Sequence, residues 1–97
     1  MTEQERELLL ILQEECAEVI QAVSKIFRFG IDTTWNGVSN RDHLEEELGD
    51  LKCMMELSTS SRFDLCNHTN IIHAQVSKEQ KLEIYSNLYK DTYVPLP

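Results

Sequence analysis

No stretch of the 97 residues approaches the roughly eighteen consecutive apolar positions of a membrane-spanning helix. Basic residues are scarce, nine Lys and Arg against seventeen Asp and Glu, for a formal charge of −8. Such a balance argues against nucleic acid held by phosphate neutralisation and against an anionic membrane surface. A polyanionic ligand would need metal ions as intermediaries. The three cysteines, Cys16, Cys53 and Cys66, are odd in number and lack CxxC spacing, so they read as reduced thiols and not as metal ligands. The opening Met1-Thr2-Glu3-Gln4-Glu5-Arg6-Glu7 is acidic where a signal peptide is basic, and a cytoplasmic protein is expected. No Gly or Pro occurs before Gly30, and Pro95 keeps the tail Asp91 to Pro97 from continuing a helix, leaving it extended or frayed. A chain of this length makes one domain, residues 1–97, with so little buried surface that a partner chain is expected to complete the core.

What the chain does have is a repeat. Leu12-Gln13-Glu14-Glu15-Cys16-Ala17-Glu18-Val19 returns 32 positions later as Leu44-Glu45-Glu46-Glu47-Leu48-Gly49-Asp50-Leu51. On a helix advancing about 100° per residue, with Leu12 at zero, Leu8, Cys16, Val19, Val23 and Ile26 fall within about 40° of it. They form a core-facing stripe. Glu15, at about 300°, lies between Ala22 and Ile26 inside the apolar arc, with Glu18 at about 240° and Glu14 at about 200°. In the second copy Leu44, Leu48, Leu51, Met55 and Ser58 define the stripe, and Glu47 and Asp50 take the angles of Glu15 and Glu18. Four carboxylates are therefore written into faces that two helices should turn toward each other, and they would repel unless cations neutralised them.

The first helix is predicted from Thr2 or Glu3 to Phe27 or Phe29, with Thr2 as N-cap, Glu5 as its capping-box partner and Gly30 at the C-terminal turn. Ile31 to Asn40 reads as a loop with Trp35 its one large apolar residue. The second helix should start near Asn40 to Asp42, capped by Asp42 with Glu45, and reach Leu57 or Thr59. Gly49 within it suggests close approach of a neighbouring helix or ligand. From Asn67 a third helix carries Ile71, Ala74, Leu82, Tyr85 and Tyr89 on one stripe, with Lys78 set between Ala74 and Leu82 and Lys81 beside it. A lysine on such a stripe wants an anion, unless it snorkels to solvent.

Two carboxylates three residues apart share one helix face. If Glu15/Glu18 and Glu47/Asp50 come from antiparallel neighbours, four oxygen ligands converge, which suits Mg²⁺ or Mn²⁺ over Zn²⁺. Either pair alone reads more simply as a solvated acidic face. Their place on the apolar side of both wheels, within a repeat in register, favours the site.

The pattern Glu14-Glu15-Cys16-Ala17-Glu18, then Glu47-Leu48-Gly49-Asp50 after 28 intervening residues, resembles the MazG family of all-α nucleoside triphosphate pyrophosphohydrolases. The likeness extends over Val19 to Lys25 and Arg28-Phe29-Gly30, so it spans residues 8 to 57, and it is to the short stand-alone members. It implies that Glu15, Glu18, Glu47 and Asp50 bind Mg²⁺, with Mn²⁺ an alternative, and that the ions hold the triphosphate. A carboxylate not fully engaged by metal, Glu14 or Glu15, would take the proton of the attacking water. Lys25 and Arg28 are candidates for phosphate contacts, although cations are ordinary at a helix C-terminus. Lys78 and Lys81 match, more loosely, the basic residues that relatives carry near the phosphates. Trp35 and Phe29 are candidates to stack on a base, against the plainer reading of packing anchors or oligomer contacts. His43, His68 and His73 show no ligand spacing and are assigned no chemistry.

The expectation is thus an all-α antiparallel bundle of three main helices completed by oligomerisation into a homodimer or homotetramer. Its reaction would convert a (d)NTP and water to the monophosphate and pyrophosphate. The rival reading is a non-enzymatic acidic regulator or DNA mimic, which would need its carboxylates outward and spread; decayed hydrolysis is disfavoured because all four ligand positions are intact.

Overall fold

The computed structural model describes residues 1–91, and the expectation for the tail beyond Asp91 lies outside them. Its elements are helix α1 (Glu3–Phe29), strands β1 (Thr34–Trp35) and β2 (Val38–Ser39), helix α2 (Asn40–Ser58) and helix α3 (His68–Tyr85). The protein is all-α apart from the hairpin, and none of the helices described is long and apolar enough to cross a membrane. Two compact units emerge, Met1–Cys66 and the segment from Asn67 onward.

In the first unit α1 starts as its sequence dictates. The Thr2 hydroxyl accepts the Glu5 N–H at 3.0 Å, and the Glu5 carboxylate accepts the Thr2 N–H at 3.2 Å. This reciprocal cap satisfies two otherwise orphaned donors. At the other end Gly30 adopts φ +102° and ψ 148°, an extended left-handed geometry open to glycine, where a Cβ would come within 3.0 Å of Thr33 Oγ1. The chain therefore leaves the helix sharply.

The segment expected to be an unstructured loop contains a hairpin. Thr34 pairs with Ser39 and Trp35 with Val38, around Asn36 and Gly37 with φ of 53° and 79°. Positive φ at both central residues is the two-residue turn that Asn-Gly favours. Asn40 N–H bonds Thr33 O, Arg41 N–H bonds Ile31 O, the Asn40 side-chain amide donates to Gly30 O, and Arg41 pairs with Asp32 at 3.1 Å. Helix α2 is capped one turn earlier than expected. Ser39, not Asp42, supplies the cap, its hydroxyl accepting the Asp42 N–H at 3.0 Å, because β2 delivers Ser39 in extended geometry to the first turn.

Helices α1 and α2 run antiparallel. Leu8 and Ile11 line a groove with Met54, Leu57 and Phe63 at one end, while Lys25 and Phe29 share a cleft with Asn40 and His43 at the other. The buried side chains on α1 are Leu8 and Ala22, at about 320° and about 280° on the wheel; those on α2 are Glu47 and Ser58, at about 300° and about 320°. The contact is thus centred at about 300°, and not on the zero of the predicted stripe. Leu12, Val19, Val23, Ile26, Leu44 and Leu51 keep half-buried places, but Cys16, Leu48 and Met55, on the far flank of the stripe, are exposed. Beyond Cys16 on the same side of α1, Ile20 and Phe27 are also open to solvent, 68% and 85% exposed. Gly49 faces about 140°, opposite the contact, and a Cβ there would meet nothing within 4 Å, so its expected role in close approach does not hold.

After α2 the chain folds back, with Leu65 and Cys66 N–H groups both bonding Ser58 O. The second unit contains α3, with Asn67 as N-cap accepting the Asn70 N–H at 2.9 Å. Ile71 and Leu82 of its predicted stripe are half-buried, Ala74 and Tyr85 are exposed, and Tyr89 lies past the helix end. None of the residues of α3 is fully buried, so Lys78 does not interrupt a buried stripe.

Candidate metal centre and adjoining cleft

Carboxylate oxygens of Glu15, Glu18, Glu47 and Asp50, one from each, all lie within 4.8 Å of one another. The arrangement follows from two steps of local structure. The three-residue spacing puts each pair on one helix face, and the contact centred at about 300° places Glu15 and Glu47 in its middle with Glu18 and Asp50 at its edge. Their exposure follows that order. Glu47 is 8% exposed and Glu15 half-buried, whereas Glu18 and Asp50 reach solvent.

Two oxygens, Glu15 Oε2 and Glu47 Oε2, are buried with no hydrogen-bond partner among the described residues. An orphaned buried acceptor is costly, and four carboxylates at this separation repel. Protons feel the same field. The Glu15 carboxyl is pushed above its ordinary range first by burial and then by the charges of Glu18, Asp50 and Glu14. Glu47 is pushed up first by the close approach of the Glu18 carboxyl, with which it can hydrogen-bond only when one of the two is protonated, then by burial and the charges of Glu18 and Asp50, while His43 pulls it down. A set of four mutually repelling carboxylates, two of them with a buried oxygen that no described residue hydrogen-bonds, has the chemistry of a hard divalent-cation site.

Beside the cluster lies a cleft of about 740 Å³ between the end of α1, the hairpin and the start of α2. Phe29, Trp35 and Val38 give it apolar walls, and Lys25, Asn40, His43 and Glu46 its polar ones. Its size suits a small organic ligand, and its wall continues into the cluster through His43, whose Nε2 lies 3.2 Å from Glu47 Oε1.

The four carboxylates singled out from the repeat are therefore brought together, and Lys25, Trp35 and Phe29 share the adjoining cleft. Glu14 is exposed and stands outside the cluster, as its wheel angle of about 200° requires. The Arg28 guanidinium sits 4.9 Å from the Phe29 ring centre and does not line the cleft. Lys78 and Lys81 are exposed on α3, in the second unit. Sequence reasoning passes over His43. Its signal is the four-residue spacing to Glu47, legible once Glu47 is known to face inward.

The model of a family described as the MazG nucleotide pyrophosphohydrolase domain matches residues 3–73. That span contains α1, the hairpin, α2 and the first turns of α3, and with them all four clustered carboxylates. No curated protein and no solved structure matches the chain.

Proposed function

This chain belongs to the MazG nucleotide pyrophosphohydrolase family, and on that premise we propose that it is a Mg²⁺-dependent enzyme converting a ribo- or deoxyribonucleoside triphosphate and water to the monophosphate and pyrophosphate. The observation that carries the reading is the convergence of four carboxylates from α1 and α2 around two buried, unpartnered oxygens. Glu15, Glu18, Glu47 and Asp50 would hold the cations, and an all-carboxylate donor set favours Mg²⁺ or Mn²⁺ over Zn²⁺. Bound there, divalent ions neutralise phosphoryl oxygens and lower the pKa of the attacking water.

In this reading water attacks the α phosphorus, the bond from that phosphorus to the α–β bridging oxygen breaks, and pyrophosphate leaves. Glu15 takes the water's proton, its proton affinity already raised by burial and by its acidic neighbours; Glu14, exposed one residue earlier, is the alternative. Trp35 and Phe29 offer ring faces to the base and Lys25 its ammonium to the phosphates. Arg28, Lys78 and Lys81 are further candidates for the phosphates. Assembly into a dimer or tetramer belongs to the proposal as well, with the exposed flank of Cys16, Ile20 and Phe27 as the surface to be covered. A charge mimic of DNA is disfavoured, since it has no use for carboxylates sunk between two helices.

The test is pyrophosphate release with Mg²⁺ across a panel of ribo- and deoxyribonucleoside triphosphates, with Glu47→Gln as the control. Release by the wild type and silence of the variant are expected. A wild type as silent as Glu47→Gln on every canonical and modified nucleotide would overturn the proposal.

A further inference from the structure

His43 sits one helical turn before Glu47 on α2, half-buried, beside the Glu47 carboxylate and among the residues that line the cleft. Nε2 is 3.2 Å from Glu47 Oε1. That contact sets the ring nitrogen directly beside Oε1. The other oxygen, Oε2, is buried with no hydrogen-bond partner among the described residues and belongs to the residue most enclosed within the acidic cluster.

These two facts are linked by the torsional freedom of a glutamate. The terminal torsion of Glu is broad, so nothing within the residue chooses which oxygen faces inward, and repulsion from Glu18 and Asp50 urges the whole group to swing away. A ring nitrogen held 3.2 Å from Oε1 favours the rotamer that leaves Oε2 turned inward. We propose that His43 is a positioning residue, which holds Glu47 by Oε1 so that Oε2 is presented to the divalent cation, a role that rests on the metal-site reading above. The ring needs no contact with the cation to do this. Groups of this kind, one step removed from a metal, characteristically control its affinity.

A simpler role would be a helix-stabilising pair at four-residue spacing. The two roles separate in the measurement of metal affinity. Mn²⁺ binding to the full-length chain is to be titrated by electron paramagnetic resonance of the free ion, well below the melting temperature, with helicity checked by circular dichroism. His43→Leu, which removes the ring nitrogen beside Oε1, should weaken Mn²⁺ binding about 10- to 100-fold. His43→Gln, whose side-chain amide can donate from a similar distance along the side chain, should restore most of the affinity. The inference is overturned if folded His43→Leu binds Mn²⁺ as tightly as the wild type, or if His43→Gln is as weak as His43→Leu. A wild type that binds no Mn²⁺ would instead defeat the metal-site reading, and this inference with it, a result distinct from a wild type that binds well and is indifferent to residue 43.

Discussion

Glu15 and Glu47, 32 positions apart in the chain, face each other across the α1–α2 contact, and each buries its Oε2 oxygen with no hydrogen-bond partner among the described residues. Two helices that pack through carboxylates sacrifice stability at that contact, and charge removal or a bound cation would restore it.

Replacing Glu15 or Glu47 with Gln removes charge from the cluster. In metal-free buffer Glu47→Gln should raise the melting temperature by a few degrees, the scale of a modest relief of strain in a chain of this size. With excess Mg²⁺ the wild type should gain stability and the variant should not. Pyrophosphate release should fall at least about 100-fold in either variant. Thermal melts with and without Mg²⁺, beside a pyrophosphate assay, check all three; a Mg²⁺-induced rise that survives in both variants would contradict the assignment.

The pH dependence of the metal-free protein has a definite sign. Glu15 and Glu47 both lie above their ordinary value of 4.5 in the folded chain, Glu15 chiefly through burial and Glu47 chiefly through the close approach of the Glu18 carboxyl. Well below that ordinary value both are protonated, folded or unfolded, and the cluster costs nothing. As the pH rises from there through the folded-state values the folded chain holds more protons than the unfolded one, so its stability falls. Divalent cations bind the deprotonated form and act in the opposite sense. Metal-free melts of wild type and Glu47→Gln should therefore diverge as pH rises through this window, the wild type losing ground, while the Mg²⁺-induced increase in melting temperature grows.

Trp35 is the sole tryptophan, 80% exposed at the mouth of the cleft, which makes it both probe and test. Nucleotide binding should quench its fluorescence. Because stacking on one base contributes about 1 to 3 kcal/mol, Trp35→Ala should raise KM about tenfold with a smaller change in kcat. Unchanged KM together with unquenched fluorescence would place the base elsewhere.

Ser39→Ala should destabilise the protein by about 1 kcal/mol, the ordinary cost of losing an N-cap, whereas Asp42→Ala should cost less. Denaturant unfolding of the two variants distinguishes the caps directly.

Charging the exposed flank of α1 tests assembly. Ile20→Asp with Phe27→Asp should shift the protein to smaller species in light scattering coupled to size-exclusion chromatography, while leaving helicity intact. A wild type that is already monomeric would remove oligomerisation from the proposed function.

How much of this is legible in the sequence depends on the range of the interaction concerned. The ends of α1 and its reciprocal cap are decided within a few residues, and Thr2, Glu5 and Gly30 announce them correctly. The start of α2 depends on the hairpin, whose two-residue strands are too short to show alternation, so Asn36-Gly37 is the only local sign and Ser39 does not stand out as the cap. The four carboxylates emerge from the repeat, because a repeated wheel angle needs no tertiary information. The centre of the contact does not. Apolar periodicity marks a greasy side of a helix without saying which part of it meets a neighbour, and Cys16, Leu48 and Met55 of the predicted stripes are exposed.

By itself, then, the amino-acid order determined three helices, the reciprocal cap of the first and the common angular position of Glu15, Glu18, Glu47 and Asp50, since each of these rests on neighbours within one or two helical turns. Only the tertiary structure decided that Glu15 and Glu47 lie at the middle of the packing face, that their inner oxygens go unpaired, that the hairpin closes a cleft beside them and that His43 joins the two. Those depend on how one helix is rotated against another, and a single helix wheel carries no information about its partner.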